Sequence, residues 1–349
     1  MTSIEQWCAQ QKQCFNPKAV DYSKPVACWN EPDVLPDNKK TDAFVVILRT
    51  KGCRWAKQSG CTMCGYFNDS ACNGIDQECL LQQWQYALTQ YNNQRILKVF
   101  TSGSFFDTEE ISKAVSDSIV STLPSSVKLF QVESRPEYVT SEIMTTVKNQ
   151  TCDVLFQVGI GLESSNDLVR TYAINKGFSF KHYEVAANLL HKYSFLVKTY
   201  VLFKPLFLTE QEAITDAVTT IEDAEEYTDV FSVNPVTVQR RTLVEHLWKK
   251  NKYRPPWLWS IIQVLQQGRQ HTKKRIQCDV TGGGSWRGPH NCKHCDTKVL
   301  EQIKSFSQEQ KLSIFKPMIE CSCYSKWLDQ LDIEALTFGS IVDFSGDII

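Results

Sequence analysis

The sequence predicts an α/β protein with a partial (β/α)6 barrel, followed by a small cysteine-rich module. From residue 43 to about 236, short β-rich apolar runs alternate with segments of helical periodicity, which is typical of βαβ units and a parallel sheet. The runs are apolar enough to be buried on both faces, as parallel strands are. After residue 236 the alternation stops, and the composition changes to Arg, Lys and Trp and then to Gly and Cys.

Six runs are predicted to form the strands of the barrel. They cover residues 43–49, 95–103, 127–133, 153–161, 195–203 and 229–236. Between them, apolar residues at helical spacing predict amphipathic helices, for example along Ile214, Ala217 and Ile221. In such barrels the reactive groups lie at the carboxyl ends of the strands, so the residues just after each strand are the candidates for a functional site.

The composition divides the chain into three parts. Residues 1–42 contain four prolines and no periodicity, and are expected to form an extended segment that wraps the barrel. Residues 43–240 are predicted to be the barrel itself. Residues 241–349 are predicted to combine a basic, aromatic segment with the cysteine-rich carboxy-terminal domain.

The amino terminus has no basic and apolar targeting pattern, and the longest apolar run, residues 43–48, is far below the roughly 18 residues of a membrane span. A soluble cytoplasmic protein with no membrane partner is therefore expected. In a reducing cytosol, a disulfide framework does not explain the 14 cysteines, which favours metal or cluster ligation. Some cysteines show no ligand spacing and are interpreted as small buried apolar residues: Cys8, Cys14, Cys28, Cys72, Cys79 and Cys152.

The net charge of −1 is unlike that of a general nucleic-acid binder. Residues 239–275, however, are locally basic and aromatic. They carry Arg240, Arg241, Lys249, Lys250, Lys252, Arg254, Arg269, Lys273, Lys274 and Arg275 with His246, Trp248, Tyr253, Trp257 and Trp259 interleaved. Cations for phosphates beside aromatic rings for bases are typical of RNA-binding surfaces, whereas a solvated helix face is the alternative explanation.

The first cysteine motif directly follows the first predicted strand and has the spacing Cys-x7-Cys-x2-Cys. Cys53, Cys61 and Cys64 can bind three irons of a [4Fe–4S] cluster and leave the fourth iron open, whereas a structural zinc site requires four ligands. The motif therefore predicts an open-iron cluster at the barrel mouth, with these three cysteines as the catalytic ligands. A zinc ion that recruits Cys72 or Cys79 is the alternative.

The second cysteine motif lies in the carboxy-terminal module. Cys278, Cys292 and Cys295, with Cys321 or Cys323 as the fourth ligand, favour a tetrahedral structural zinc. A second Fe–S cluster is the alternative, because thiolates alone do not discriminate between the two metals. Uncoordinated buried thiols are a third interpretation.

With these motifs, the chain resembles the radical S-adenosylmethionine (SAM) superfamily over about residues 43–236. Cys61 and Cys64 bracket Met63 as in that family's Cys-x-Φ-Cys, which implies that Met63 contacts the adenine of SAM. The x7 spacing resembles the branch that contains the Elongator catalytic subunit and the tRNA methylthiotransferases.

The resemblance also implies SAM-binding positions after the later strands. They are Ser102, Gly103, Ser104, Glu133, Glu163 and Arg170. The loop at Gly103 resembles the segment that holds the SAM amino group, although the family's Glu is absent from it. Glu133 lies in a segment similar to the one near the ribose, and Arg170 is placed to meet the SAM carboxylate. An ion-pair network at the barrel mouth is the alternative explanation of Glu133, Glu163 and Arg170.

Four stretches together closely resemble the radical SAM subunits of archaeosine synthases, from about residue 40 onward. They are RTKGCRWAKQSGCTMCGY, SFLVKTYVLFKP, INKGFSF and GGGSWRGPHNCKHCD. The resemblance implies that a partner lysine transferase adds lysine to the 7-cyano-7-deazaguanine base at position 15 of tRNA. It further implies that this chain, supplied by an electron donor, cleaves a C–N bond of the adduct and leaves archaeosine.

Candidate anchors for a substrate carboxylate or phosphate are Lys198 and Lys204, with Asn175 and Lys176 in the same position. Two other functions fit the same residues. One is a radical SAM enzyme that acts on another RNA or on a small molecule. The other is a non-catalytic, zinc-bearing RNA-binding adaptor, which predicts that the protein does not cleave SAM to 5′-deoxyadenosine.

Overall fold

The structure, a computed structural model, describes residues 3–12, 20–151 and 154–337. Its centre is a curled, eight-stranded half-barrel whose strands follow one another in chain order. The strands are β1 Ala27–Val34, β2 Lys40–Ile47, β3 Ile96–Phe100, β4 Leu129–Glu133, β5 Leu155–Glu163, β6 Leu196–Phe203, β7 Val230–Pro235 and β8 Arg275–Cys278. β1 pairs antiparallel with β2, and every later pair is parallel.

Eleven α-helices are found in the described part of the chain. They are α1 Ile4–Gln11, α2 Arg54–Gln58, α3 Gln77–Gln90, α4 Lys113–Ser121, α5 Ser141–Gln150, α6 Phe180–Lys192, α7 Glu210–Asp223, α8 Leu243–Lys249, α9 Leu258–His271, α10 Asp296–Glu309 and α11 Cys323–Thr337. Across these helices, no apolar stretch reaches the length that a membrane crossing requires.

The two faces of the sheet have different chemistry, as β6 illustrates. Thr199 hydrogen-bonds the hydroxyl of Tyr183 on α6 at 2.6 Å, so it faces the helices. Tyr200 accepts a hydrogen bond from Gln131 of β4 at 3.2 Å, so it faces the barrel interior. Because side chains alternate along a strand, Lys198 also faces inward. The helix-facing side is an apolar core, whereas the interior is largely polar.

The predicted α/β fold class is confirmed, and each of the six predicted strands overlaps an observed one. The structure adds β1 and β8. β1 contains Pro32 and several polar residues, which are tolerated because it is an edge strand, and β8 is only four residues long. α1 also lies within the segment expected to be extended. The sheet runs past residue 240, and the division into domains remains a prediction.

Side chains join the two edges of the half-barrel. Gln277 of β8 donates a hydrogen bond to Asp33 of β1 at 2.9 Å, and Arg275 donates to Asn38 at 2.7 Å. These contacts enclose the polar interior between β1 and β8, although the two strands do not pair through their backbones.

Candidate active site and metal centre

The three-cysteine loop follows β2 at the carboxyl end of the sheet, and neighbouring segments hold it in place. Thr62 donates its backbone N–H to Ile174 O at 2.9 Å and its hydroxyl to Ala173 O at 2.7 Å. The ammonium of Lys12, at the end of α1, donates to Cys61 O at 2.6 Å. Hydrogen bonds to distant segments therefore fix the conformation of a loop that lacks regular structure around its last two cysteines.

The three thiols of this loop are close but do not form a single-ion site. Among the described residues, the four carboxy-terminal cysteines form the one group of three or more potential ligands whose atoms all lie within 4.8 Å of one another. Cys53, Cys61 and Cys64 form no such group, and neither Cys72 nor Cys79 completes one. Sulfurs on one tetrahedral zinc lie about 3.8 Å apart, given Zn–S bonds of about 2.3 Å. An iron–sulfur cube separates its cysteine sulfurs by roughly 6 Å.

Three cations surround the thiols. Lys12, Arg135 and Lys176 each interact electrostatically with at least one of the three cysteines. Burial raises the pKa of Cys53 to about 11, and the Arg135 guanidinium opposes that rise. The mouth is therefore positively charged where the thiols converge, which suits an anionic, thiolate-ligated group.

The loop after β3 packs directly on the cysteine loop. A Cβ at Gly103 would lie 2.7 Å from Cys53 Cα and 2.8 Å from Glu110 Cδ, so only glycine fits there. The Glu110 carboxylate accepts a hydrogen bond from Ser104 N at 2.7 Å and another from the Thr50 hydroxyl. Glu110 was not predicted as a site residue from the sequence. The one indication in the sequence is that Glu110 follows shortly after the Gly103 loop, which lacks the glutamate of the family motif.

Glu133, the last residue of β4, faces the upper interior. Its carboxyl group hydrogen-bonds the hydroxyl of Tyr200, which in turn accepts from Gln131. Burial raises the pKa of Glu133, and the Tyr200 hydroxyl and Lys198 oppose that rise. Glu133 therefore lies at the mouth and is linked through Tyr200 to the polar interior of the barrel.

Glu163 and Lys176 form an ion pair of 2.6 Å at the mouth. Glu163 has a φ of +71° next to a bulge in β5, and a Cβ at Gly161 would lie 2.6 Å from Lys176 Nζ. The charged form of Lys176 is disfavoured by burial, but Glu163 and Cys61 outweigh burial and raise its pKa. The ion-pair network left open by the sequence is thus present at Glu163.

Arg170, which is predicted to meet the SAM carboxylate, lies inside the protein. It is fully buried, and its guanidinium donates to the backbone carbonyls of Phe178, at 2.9 Å, and Ser164. Burial lowers its pKa to about 10, which the nearby Asp216 opposes. Arg170 also forms an ion pair with Asp167. These contacts hold the loops after β5, and contact between Arg170 and SAM stays a prediction.

The remaining candidate anchors for a substrate carboxylate or phosphate have different surroundings in the structure. Lys204 forms a buried 2.5 Å ion pair with Glu210 of α7. Asn175 donates to Ser59 Oγ at 2.7 Å and to Gly60 O at 2.8 Å, which supports the cysteine loop. Lys198 faces the barrel interior, where it makes no hydrogen bond or ion pair in the described chain but is attracted by Asp33, Glu31 and Glu133.

The carboxy-terminal cluster is formed by Cys292, Cys295, Cys321 and Cys323. Four of the Sγ–Sγ distances in this group range from 3.4 to 3.8 Å. The structure therefore includes both of the alternative fourth ligands and leaves out Cys278. Cys278 ends β8, where it is buried and its backbone N–H donates to Ser307 at 2.9 Å. Its place on the strand keeps it out of the group.

Polar neighbours orient these thiols. Trp259 Nε1 donates to Cys323 Sγ at 3.3 Å, and Asn291 Nδ2 donates to Cys295 Sγ at 3.4 Å. Cys295 is the residue before α10, and Cys323 begins α11. The group thus joins the starts of three helices, because Trp259 lies in the first turn of α9.

The six cysteines without ligand spacing differ in their bonding state. Cys8, Cys28 and Cys79 are free thiols. Cys72 is disulfide-bonded, which its interpretation as a small buried apolar thiol did not anticipate. Cys14 and Cys152 lie outside the described residues.

Comparison with known proteins places this chain. It is 38% identical over 334 residues to archaeosine synthase subunit beta of Methanosarcina acetivorans, which covers 94% of this chain and 96% of that protein. The same-named protein of Thermococcus kodakarensis is 38% identical over 307 residues, with 86% and 94% coverage. The chain belongs to the archaeosine synthase subunit beta family.

A scan against protein-family models found no match to this chain. Its solved structural neighbours are distant. Methylornithine synthase has a TM-score of 0.49 and 12% identity, covering 86% of this chain and 84% of that one. An archaeal Elp3 from Methanocaldococcus infernus has a TM-score of 0.48 and 13% identity, with 68% and 63% coverage.

The basic segment of this archaeosine synthase subunit beta homologue is divided between two ends of the barrel. The residues after β7 lie against the cysteine loop, since Asn68 donates to Arg240 O at 2.9 Å and Arg241 lies 5.7 Å from the Phe67 ring. Lys273 and Lys274 precede β8 and therefore lie at the amino end of the parallel strands. Trp257 and Trp259 are buried in the core.

Proposed function

We propose that this chain is the radical SAM subunit of an archaeosine synthase. In this proposal it reductively cleaves SAM to a 5′-deoxyadenosyl radical and breaks a C–N bond of the lysine adduct of 7-cyano-7-deazaguanine at position 15 of tRNA. The observation that carries the proposal is the three-cysteine loop at the barrel mouth of a chain 38% identical to named archaeosine synthase β subunits. A partner lysine transferase and an electron donor complete the reaction.

Cys53, Cys61 and Cys64 would hold a [4Fe–4S] cluster. Their spacing supports this, because the three thiols are too dispersed for one tetrahedral ion and are surrounded by Lys12, Arg135 and Lys176. When bound, the cluster supplies the electron that cleaves SAM. The three cations then balance the charge of the thiolates.

The SAM pocket would lie between the cysteine loop and the loops after β3, β4 and β5. Its proposed lining is Met63, Ser102, Gly103, Ser104, Glu133 and Glu163. Glu110 positions this lining, since its carboxylate accepts the Ser104 N–H beside Cys53. Arg170 holds the loops after β5 through its hydrogen bonds to the carbonyls of Ser164 and Phe178. The 5′-deoxyadenosyl radical would take a hydrogen atom from the lysine carbon next to the one that bears the adduct nitrogen. Homolysis of the C–N bond would then release the lysine carbon chain as an alkene, and one electron from the electron donor with a proton would convert the nitrogen radical left on the base into the amidine of archaeosine.

A structural zinc ion is proposed for Cys292, Cys295, Cys321 and Cys323. Sulfur separations of 3.4–3.8 Å match the edges of a tetrahedron around one ion and are too short for an iron–sulfur cube. The donors from Trp259 and Asn291 support the thiolate form of two ligands.

The tRNA would approach the mouth across the surface after β7. Arg240, Lys249, Lys250 and Lys252 are exposed there. Trp286 is 67% exposed on the neighbouring loop, which joins this surface through a hydrogen bond of 2.7 Å from Val238 N to Arg287 O. Exposed cations beside an exposed aromatic ring suit phosphates and an unstacked base.

The proposal is tested with anaerobically reconstituted, reduced protein, SAM, and tRNA that carries the lysine adduct. We expect 5′-deoxyadenosine and archaeosine to form together, measured by mass spectrometry of the nucleosides. The free adduct base should react poorly, because it lacks the phosphate contacts. No 5′-deoxyadenosine would favour the adaptor, whereas 5′-deoxyadenosine without archaeosine would indicate a different substrate.

A further inference from the structure

The end of β8 lies at the mouth of the barrel, at the same end of the sheet as the three-cysteine loop. Asp279 directly follows β8. Gln277, two residues earlier, donates to Asp33 in the barrel interior, so alternation places the Asp279 side chain on the same side. The hydroxyl of Thr237 donates to Thr281 O at 2.7 Å, which ties this segment to the loop after β7. Asp279 is therefore an interior-facing carboxylate at the mouth.

Tyr66 of the cysteine loop reaches toward this carboxylate. Its hydroxyl hydrogen-bonds the side chain of Gln239, which also accepts from the backbone N–H of Gly65. Tyr66 interacts electrostatically with both Cys64 and Asp279, so its side chain lies between them. The residue is 55% exposed, yet burial raises the pKa of its hydroxyl to about 12. A side chain that lines an open recess combines these two properties.

Asp279 differs from the other carboxyl groups near this end of the barrel. Three of them already have a hydrogen bond or an ion pair: Glu31 with Lys98, Glu133 with Tyr200, and Glu163 with Lys176. Asp279 is exposed and makes neither kind of contact within the described chain. Burial raises its pKa, and attraction by three lysines opposes the rise: Lys98, Lys198 and Lys304. Both oxygens of Asp279 are therefore available as acceptors.

An available carboxylate beside an exposed ring suits a guanine-type base. Such a base presents two neighbouring donors on its Watson–Crick edge, N1–H and the 2-amino group, and a carboxylate has two oxygens to accept both. Enzymes that act on a base take it out of the stack, and they read it through this edge and through stacking on aromatic side chains. Asp279 and Tyr66 supply these two elements beside the cysteine loop.

We propose that Asp279 binds the Watson–Crick edge of the flipped-out 7-deazaguanine base while Tyr66 stacks on its ring, an inference that rests on the function proposed above. The substituent at position 7 lies across the bicyclic ring from the 2-amino group. With the edge on Asp279 and the ring on Tyr66, this substituent points toward the cysteine loop. Asp279 thus selects a guanine-type base and determines which side of the substrate faces the reactive end of the site.

The test compares two tRNAs that carry the lysine adduct at position 15, one on 7-deazaguanine and one on 7-deazahypoxanthine, which lacks only the 2-amino group. kcat/KM is measured for both with the reconstituted holoenzyme. We expect the wild type to prefer the 7-deazaguanine substrate roughly ten- to hundredfold. Asp279→Ala should abolish that preference, and Asp279→Asn, which keeps one acceptor, should reduce it in part. Asp42→Ala, at an exposed aspartate near the amino end of the barrel, is the matched control and should retain it.

The ring of Tyr66 has its own expected result. Tyr66→Leu should lower kcat/KM for both substrates roughly ten- to hundredfold, because stacking does not depend on the 2-amino group. The preference between the two substrates should therefore remain. Tyr66→Phe keeps the ring and should restore most of the lost kcat/KM. Equal loss in Tyr66→Phe and Tyr66→Leu would show that the hydroxyl matters and not the ring, which contradicts stacking.

The other results overturn defined statements. If the wild type converts the 7-deazaguanine substrate and Asp279→Ala keeps its preference, the inference is wrong and the proposed function stands. The same holds if the wild type converts both substrates equally, or if Asp279→Ala slows both equally, as loss of a contact to the α-ammonium of the substituent would do. If the wild type converts neither, the proposed function fails and the inference with it. Thermal unfolding of Asp279→Ala should match the wild type, and the isosteric Asp279→Asn decides the question if it does not.

Discussion

The two cysteine groups of this chain differ in how their thiols are held. At the carboxy-terminal group, four sulfurs lie within 4.8 Å of one another, and two of them begin or precede helices. At the barrel mouth, three sulfurs are more dispersed and lie on a loop that backbone hydrogen bonds to distant segments hold in place. A closed set of four ligands suits a structural ion, whereas three ligands that leave a position open suit a reactive group.

The largest expected effect concerns the mouth. Replacing Cys53, Cys61 or Cys64 by Ala should abolish SAM cleavage while the circular dichroism spectrum stays that of the wild type, because the loop lies outside the barrel core. Cys79→Ala, which alters a free thiol on α3, is the control and should retain both iron and turnover. Full iron content and full turnover in Cys61→Ala would show that the cluster is bound elsewhere.

The second effect concerns the carboxy-terminal group. Cys292→Ser should release about one zinc per chain and lower the free energy of unfolding by at least about 4 kcal/mol, because metal loss unties the starts of three helices. Cys278→Ala is the matched control, and it should keep the zinc with only a small loss of stability. Zinc content is measured by elemental analysis after aerobic chelation, which strips an exposed cluster first. Four irons per chain that depend on Cys292 and Cys295 would contradict the zinc assignment.

The third effect distinguishes a positioning residue from a SAM ligand. Arg170→Met should lower the free energy of unfolding by about 3 kcal/mol, because it leaves the Ser164 and Phe178 carbonyls and the Asp167 carboxylate without their buried partner. Lys181→Met, at an exposed site on α6, is the control. A raised KM for SAM with unchanged thermal stability would instead support direct contact between Arg170 and SAM.

The smallest expected effect per residue is on tRNA affinity, and it distinguishes the two ends of the barrel. Changing Arg240, Lys249, Lys250 and Lys252 to Ala should weaken tRNA binding and reduce the salt slope by about one for each lost phosphate contact. Changing Lys273 and Lys274 to Ala should not, because they lie at the opposite end of the parallel strands. Affinity is measured against unmodified tRNA at several salt concentrations. Equal loss in both variants would mean that tRNA does not approach the mouth alone.

The repetitive part of the architecture could be predicted from the sequence, because alternation of apolar strands and amphipathic helices is local information. The same holds for the three-cysteine spacing after the first barrel strand and for the presence of a second cysteine group. β1 could not be predicted in this way: its polar residues and Pro32 are compatible with a strand only because it pairs at an edge.

By itself, the sequence determined the α/β class, the order of the strands and the family. The tertiary structure decided which side chains meet. It brought Cys321 and Cys323 together without Cys278, buried Arg170 under its own loops, and paired Lys204 with Glu210 while Lys198 stayed without a hydrogen bond or ion pair inside the barrel. The physical reason is that spacing along the chain sets the face of a strand or helix on which a residue lies. Only the register and curl of the sheet set which distant residue it faces.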